Sequence, residues 1–391
     1  MRSLLAYLAL QATAFAAPVA NTTQATSKYI VVLKPEHSIQ SLGISKRGSL
    51  FESVDPFHTY DLGDFKGFAA SLTATQVTGI KADSKVAYVE ADGLFHIQDI
   101  ASSPARQTTQ SNSTWGLARI SHRSLGPSDY IYDVTGGEGT CAYILDTGLE
   151  VTHPEFEGRA TFVKTFDQGD GNDEDMHGHG THVAGTIGSK SYGVAKKTKL
   201  FGMKVCNVSG SCTASGIAAA IIETVSDSKT RGCTNGVVIN LSLGSSSTTW
   251  QSTKDAVKEA TAAGVFVAVA AGNEDQDTAN VAPANAPESC VAAATDETDQ
   301  PADFSNWGHP VAVYAPGFKI LSTWRGGSTN TISGTSMASP HLAGLGAYLL
   351  GLNGKMSPAA LCSKIKDMAT KDAVQKNKQD TNNLLIFNGE A

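Results

Sequence analysis

The sequence predicts an α/β fold in which a doubly wound parallel sheet carries helices on both faces, preceded by a small α+β domain. Strand-length runs after residue 108 are almost continuously apolar, which is typical of strands covered on both faces. These runs alternate with helical stretches, and this alternation favours a parallel sheet. The predicted strands span residues 141–145, 200–205, 237–243, 265–271 and 311–314. The predicted helices span residues 182–187, 215–225, 253–263, 336–350 and 358–368.

The smaller domain is predicted at residues 17–98. Strand-like runs at residues 29–33, 67–72 and 86–90 interleave with a helical pattern that begins near Thr73, which suits a small α+β unit. A stretch rich in Ser, Thr, Gln and Ala follows and predicts an exposed linker, of which residues 99–107 separate the two domains. The second domain is then expected at residues 108–391.

Residues 1–16 have the features of a secretory signal peptide. Arg2 precedes a short apolar run, and Ala14 and Ala16 form a small-x-small cleavage pattern. The apolar run is too short to span a bilayer. The net charge of -7 comes with scattered basic residues, which argues against nucleic acid and anionic membrane surfaces as partners. We therefore expect a secreted, extracellular and monomeric protein.

The cysteines and sequons agree with export. An even number of cysteines in an exported chain indicates disulfides, and Cys206 and Cys212 are close enough to close a small loop. No Cys-x-x-Cys pair is present, which argues against a cysteine zinc site. Glycosylation is predicted at Asn112 and Asn207. The six cysteines are Cys141, Cys206, Cys212, Cys233, Cys290 and Cys362, and two further sequons lie at Asn21 and Asn240.

The first of three reactive clusters ends a predicted strand with Asp146-Thr147-Gly148. Ligands bind at the carboxyl ends of strands in parallel sheets, so an acidic residue here is a candidate site residue. Pepsin-like aspartic proteases carry the same triplet, but they need two aspartates that share one proton. This chain has one Asp-Thr-Gly triplet and no Asp-Ser-Gly, which argues against that class.

The second cluster contains His177, His179 and His182 within six residues. Three such histidines could mark a zinc site. Metallohydrolases with the pattern His-x-His-x-Asp-His have an Asp where this chain has Thr181, and few histidines follow. A simpler interpretation needs only His179, as a general base.

The third cluster places Ser336 at the start of a predicted apolar helix, two residues after Gly334. The free N–H groups and partial positive charge of a helix N-terminus favour the oxyanion that forms when a serine attacks a carbonyl. An isolated serine at such a position would by default be an N-cap. The order Asp146, His179, Ser336, with each residue at the end of an element, favours catalysis instead.

These three clusters resemble the three signatures of the subtilisin family, in which the catalytic residues follow the order Asp, His, Ser. The segments Trp115-Gly116-Leu117-Ala118-Arg119-Ile120-Ser121 and Tyr192-Gly193-Val194-Ala195 are similar to the secreted fungal, proteinase K-like branch. The resemblance covers essentially all of the chain after Trp115. Residues before the linker resemble the inhibitor pro-segment of that family.

The resemblance implies a role for each of several residues. Ser336 would attack the peptide carbonyl, His179 would transfer the proton, and Asp146 would orient the imidazole. Asn273 would supply an oxyanion-hole donor. Substrate would pair as an added strand. Its side chain would enter a pocket with two walls, which consist of Ser242, Leu243 and Gly244 on one side and Ala270, Ala271 and Gly272 on the other. Small walls without an acidic residue predict a preference for large apolar or aromatic side chains.

The same resemblance implies disulfides between Cys141 and Cys233 and between Cys290 and Cys362, with Cys206 and Cys212 as an additional pair beside the cleft. No cofactor is needed for the chemistry. The calcium site of the proteinase K-like branch uses a carboxylate at the position of Ala312, and calcium prefers carboxylate oxygen. The sequence therefore argues against calcium at that site, but it is compatible with structural calcium elsewhere in the chain.

The sequence therefore predicts a secreted serine endopeptidase of broad specificity that forms an acyl-enzyme. Its partners are protein and peptide substrates and its own pro-segment, which is removed by cleavage between about Asp99 and Gln107. Two alternatives stay open. A zinc hydrolase would lose activity on chelation, and a non-catalytic member of the fold would bind peptides without cleaving them.

Overall fold

A computed structural model describes residues 26–44, 51, 53–97, 113–167, 172–247 and 249–389, with the backbone alone for residues 94–97. The predicted signal peptide, the linker, Asn21 and Asn112 lie outside these residues. In the described part of the chain, none of the helices has the length and apolar character needed to cross a membrane.

The first domain is an antiparallel sheet with one helix. In chain order it contains β1 (Thr26–Leu33), β2 (Pro56–Leu62), β3 (Phe65–Thr73), α1 (Ala74–Ala82) and β4 (Val86–Ala91). The strand order is β2-β3-β1-β4. The helix begins with a capping box, because the Thr73 side chain accepts from the Gln76 N–H while the Gln76 side chain accepts from the Thr73 N–H. One sheet face covers the small core of this domain, and the other packs on the second domain through Ile30, Val32 and Tyr60.

The second domain is the predicted doubly wound structure. Its helices are α2 (Trp115–Ser121), α3 (His179–Gly188), α4 (Ala214–Asp227), α5 (Gln251–Ala262), α6 (Thr335–Asn353) and α7 (Pro358–Met368), with short 3-10 helices at Pro154–Phe156, Ser228–Thr230 and Thr278–Asn280. A further 3-10 helix, Ile39–Leu42, belongs to the first domain. The remaining strands are β5 (Leu94–Ile97), β6 (Thr140–Asp146), β7 (Ala160–Thr165), β8 (Lys199–Lys204), β9 (Ser211–Thr213), β10 (Gly236–Leu241), β11 (Leu243–Gly244), β12 (Val265–Ala270), β13 (Cys290–Thr295), β14 (Val311–Pro316), β15 (Ile320–Trp324), β16 (Ser328–Ile332), β17 (Thr370–Lys371) and β18 (Leu384–Leu385).

The central sheet has the order β7-β8-β6-β10-β12-β13-β14-β18-β17 within the described residues. All neighbours pair in parallel except β17 and β18. Helices α3, α6 and α7 cover one face, and α4 and α5 cover the other. Residues such as Tyr143 and Ile144 therefore both lie in a core, on opposite faces of the same strand. Burial on both faces of the sheet explains why the strand sequences are almost continuously apolar.

The chain moves from β6 to β8 on one side and later returns to β10 on the other side of β6. Such a switch of direction leaves a crevice at the carboxyl ends of the two strands, where ligands bind in parallel sheets. Asp146 is the last residue of β6, and Ser242 follows the last residue of β10. The topology therefore places both residues at one crevice.

The structure corrects the predicted strand at residues 237–243. The parallel strand β10 ends at Leu241, and Leu243 belongs to β11, which lies in a different sheet. At the break between the two strands, the Ser242 hydroxyl donates to the Ser336 carbonyl over 2.7 Å. Strand β13 was not predicted, since its alanine-rich sequence has a weak strand preference that burial on both faces overrides.

A third sheet joins the two domains. Strand β5, which follows the first domain, lies between β9 and β11 and pairs antiparallel with both. The carboxylate of Glu90 accepts the N–H groups of Gln251 and Ser252 at the start of α5, each over 3.2 Å. Asp92 accepts the N–H of Ser215 at the start of α4 over 3.0 Å. Carboxylates are favourable at helix N-termini, so these contacts stabilise the first domain against the two helices.

Three disulfides are present in the described chain. Cys141 in β6 bonds to Cys233, and Cys290 in β13 bonds to Cys362 in α7. The bond between Cys206 and Cys212 closes a short loop just before α4, and Cys212 itself lies in β9. The additional bridge therefore holds a strand that pairs with β5.

Candidate active site

Asp146 and His179 form a buried pair at the carboxyl end of β6. The Nδ1 atom of His179 lies 2.7 Å from Oδ1 of Asp146, and both side chains are fully buried. The Thr147 N–H donates to the same oxygen over 2.8 Å. Because a carboxylate only accepts, the imidazole proton is on Nδ1, and Nε2 is the nitrogen that can take a proton.

Asp175 was not predicted as a site residue, and it links the segments that carry Asp146 and His179. Its Oδ1 accepts from the Thr147 hydroxyl over 2.8 Å and from the Gly178 N–H over 2.7 Å. Its Oδ2 accepts from the N–H and the hydroxyl of Thr181 over 2.8 and 2.6 Å. The buried carboxylate thus connects the end of β6 with the start of α3. Four donors to one carboxylate limit the movement of His179 relative to Asp146.

Ser336 is the second residue of α6 and is fully buried. Its hydroxyl donates to the Ser242 carbonyl over 3.0 Å. The Ser242 hydroxyl in turn donates to the Ser336 carbonyl, and Asn240 donates to the Ser242 hydroxyl over 2.8 Å. The first turn of α6 is therefore held against the end of β10, and α6 also packs on α3, which carries His179.

Asn273 is oriented by Thr335, another residue that the sequence analysis did not single out. The Asn273 Oδ1 atom accepts from both the N–H and the hydroxyl of Thr335, each over 2.9 Å. The Thr335 hydroxyl also accepts from the Gly272 N–H over 3.1 Å. Because a backbone N–H can only donate, the atom facing Thr335 is the amide oxygen. The Nδ2 donor therefore points away from Thr335. Asn273 itself is partly exposed.

The cleft contains a peptide strand that belongs to the chain itself. Ile97 of β5 is paired with Leu243, and His96 lies between Gly244 and Ser211. Leu243 directly follows Ser242, whose carbonyl contacts the Ser336 hydroxyl. The strand β5 therefore runs along the cleft and reaches its last described residue beside Ser336. The predicted wall residues Ser242, Leu243, Gly244, Ala270, Ala271 and Gly272 are all buried.

The three clustered histidines do not form a metal site. His182 is fully buried, and its Nε2 atom lies 3.0 Å from the Ile320 carbonyl and 3.2 Å from that of Asn330, so this nitrogen carries a proton. Burial, followed by the charge of His179, lowers the pKa of His182 to about 3. In the part of the chain that the structure describes, no cluster of three His, Cys, Asp or Glu side chains could hold a metal ion.

The position that corresponds to the calcium ligand of the proteinase K-like branch does not fit a cation. Ala312 is buried within β14, and its methyl group offers no oxygen.

The predicted glycosylation site Asn207 lies in the loop closed by Cys206 and Cys212. There its Oδ1 accepts from the N–H groups of Ser209 and Ser211, while Asn240 is fully buried.

Comparison with known proteins identifies the family. Residues 137–385 match the model of the subtilase family, and residues 28–98 match that of the peptidase inhibitor I9. The chain is 50% identical over 325 residues to a cuticle-degrading protease of Metarhizium anisopliae, which covers 83% of this chain and 81% of that protein. It is 50% identical over 282 residues to proteinase T of Parengyodontium album, which covers 72% of this chain and 94% of that protein.

A solved structure agrees with these sequence matches. The crystal structure of a cold adapted subtilisin-like serine proteinase superimposes with a TM-score of 0.67 at 38% identity, covering 71% of this chain and 99% of that one. The segment that matches the subtilase family model, residues 137–385, includes both strand ends that form the crevice described above. The chain therefore belongs to the subtilase family of serine proteases and carries a peptidase inhibitor I9 segment ahead of its peptidase domain.

Proposed function

We propose that the chain is a secreted endopeptidase, made as an inactive precursor, that removes its own pro-segment and then cleaves proteins through an acyl-enzyme. The observation that carries this proposal is the placement of β5, which is paired on both edges and ends beside Ser336. A peptide in this position both blocks the cleft and is presented to the nucleophile.

Acylation begins when the Ser336 oxygen attacks the peptide carbonyl. The hydroxyl first has to leave the Ser242 carbonyl, to which it donates in the present structure, and pass its proton to Nε2 of His179. The imidazole then carries a positive charge, which the buried Asp146 carboxylate stabilises across the 2.7 Å hydrogen bond. The proton next moves to the leaving amine as the C–N bond breaks, and water later hydrolyses the ester.

The tetrahedral intermediate carries a negative charge that needs donors. The Asn273 Nδ2 group and the Ser336 N–H at the start of α6 are the two groups suited to this role. The contacts from Thr335 preorganise the Asn273 amide, so that little reorganisation is needed when the charge develops.

The cleft also supports a prediction of substrate specificity. Backbone pairing with β9 and β11 is independent of substrate sequence, which supports broad specificity. The small wall residues support a preference for large apolar or aromatic side chains.

The register of the cleft sheet predicts the maturation bond. Ile97 is paired with Leu243, so the peptide bond presented to Ser336, beside Ser242, should lie just beyond Ile97. We expect cleavage between Gln98 and Asp99, immediately before the range of Asp99 to Gln107 predicted from sequence. Intact mass and N-terminal sequencing of the secreted enzyme test this. A mature chain that begins several residues later, with no species that begins at Asp99, would contradict the register argument.

A second prediction concerns the oxyanion hole. Asn273→Ala should lower kcat by roughly a hundred- to thousandfold with little change in KM, because the Nδ2 donor acts mainly on the transition state. Thr335→Val keeps the shape of the side chain but removes the hydroxyl that holds the amide, so it should lower kcat by a smaller factor. Thr335→Ser is the matched control and should stay near wild type. Steady-state kinetics on a peptide p-nitroanilide measure all three, and a change confined to KM would contradict the assigned role.

A further inference from the structure

A cavity of about 770 Å³ opens next to the active site, outside the cleft that β5 occupies. Its apolar lining consists of Leu149, Val151, Phe162, Met176 and Trp324. None of its lining residues belongs to β9 or β11, the two strands that pair with β5. The cavity is therefore separate from the surface that binds the acyl side of a peptide.

One lining residue of the cavity, Trp324, is linked to the general base through the ring of His177. The Trp324 ring lies 6.4 Å from the ring of His177, which in turn lies 6.1 Å from the ring of His179. Gly178 passes so close to Trp324 that an added Cβ would come within 2.5 Å of the indole. A peptide that enters along β9 and β11 and passes Ser336 continues toward His179, which donates the proton to the leaving amine. Because the cavity is lined by no residue of the acyl-side strands and approaches His179 through Trp324 and His177, it is a candidate for that leaving side.

The rim of the cavity is acidic. Among the lining residues that are not buried, Glu150, Asp173 and Glu174 contribute three carboxylates and Arg325 one positive charge, which is a net charge of -2, and the buried Asp175 adds a fourth carboxylate. Asp173 accepts from the Thr165 hydroxyl over 2.6 Å, and Glu150 accepts from the Gly327 N–H over 3.2 Å. These contacts fix two of the carboxylates without neutralising them. A cationic group would therefore be attracted to an apolar pocket with a negative edge.

We propose that this cavity is a leaving-side subsite that takes a Lys or Arg side chain located after the cleaved bond. The methylene stem would lie against the apolar lining while the charged head stays beside the exposed carboxylates. The Trp324 ring can add a cation–π contact. This inference rests on the proposed function, because a leaving side exists only for a peptide bond that is cleaved at Ser336. It predicts that a basic preference appears after the bond, although the pocket before the bond has apolar walls.

The test uses internally quenched peptides that share one acyl side and carry Lys, Gln or Glu at the second, third or fourth position after the bond. At about 0.01 M ionic strength, kcat/KM should be roughly three- to tenfold higher for the best-placed Lys than for Glu at the same position. The preference should shrink at about 1 M salt, where the screening length is about 3 Å. The double variant Glu150→Gln/Glu174→Gln should reduce this preference for Lys over Glu. The single variant Glu174→Gln should reduce the preference by a smaller factor.

Glu138→Gln is the matched control, because it removes an equal charge from an exposed residue just before the amino end of β6, opposite the end of this strand that carries Asp146. A p-nitroanilide substrate, which has no residue on the leaving side, should be hydrolysed equally by all these variants. Equal rates for Lys and Glu peptides, or a preference that survives in the double variant, would overturn the subsite. Loss of p-nitroanilide hydrolysis by the wild type itself would instead overturn the proposed function on which the subsite rests.

Discussion

The variant Ser336→Ala is expected to be secreted with its pro-segment attached and to have almost no peptidase activity. Without the hydroxyl that now contacts the Ser242 carbonyl, no acyl-enzyme can form, either on a substrate or on the bond after β5. Removal of the nucleophile in subtilisin itself lowers kcat by about a millionfold, and we expect a loss of similar size. Intact mass measures the processing, and a peptide p-nitroanilide measures the activity.

The matched control is Ser226→Ala, which changes an exposed serine on α4 and should be processed like the wild type. If Ser336→Ala and the wild type are both shortened, another protease matures the chain, and Ser336 has to be tested directly with a serine-reactive phosphonate. If neither protein is shortened and neither hydrolyses casein, the non-catalytic alternative explains the chain better than the proposed function does.

The variant Asp146→Asn is expected to slow the removal of its own pro-segment by roughly ten-thousandfold, which intact mass over time measures. An amide in place of the carboxylate removes the charge that stabilises the imidazolium. It also brings an N–H₂ group that can face Nδ1 of His179 and favour the wrong tautomer. Both effects depend on the 2.7 Å contact between two fully buried side chains.

The variant must be shown to be folded before its kinetics are interpreted. An unchanged thermal unfolding midpoint of the unprocessed form, measured beside Ser336→Ala, provides this control, because neither variant is expected to process itself. Pro-segment removal that slows by less than about tenfold would mean that other groups, such as the Asp175 network, suffice to orient His179.

The family and the central sheet could be predicted from sequence because their signals are local. Apolar strands such as β6 and β12 are buried on both faces, so their sequences are nearly free of polar residues. The residues Asp146, His179 and Ser336 each lie in a short motif at the end of an element. Such motifs are legible without knowledge of tertiary contacts, and the subtilase match agrees with them.

The supporting residues could not be predicted in this way. Asp175 lies in an acidic stretch of the sequence, and nothing local distinguishes it from Asp173 or Glu174. Its role comes from burial and from four donors that arrive from two separate elements. Thr335 lies inside a recognised motif, yet its contact with Asn273 joins residues that are 62 positions apart.

The sequence by itself determined the fold class, the order of the three clusters around Asp146, His179 and Ser336, and the presence of a separate domain ahead of the peptidase. These properties follow from apolar periodicity and from short motifs, which act over a few residues. Only the tertiary structure decided where β5 lies, which serine carbonyl holds the Ser336 hydroxyl, and which side chains surround the acidic cavity. Those features depend on contacts between distant segments, because the crevice forms only when the parallel strands and the helices between them have packed together.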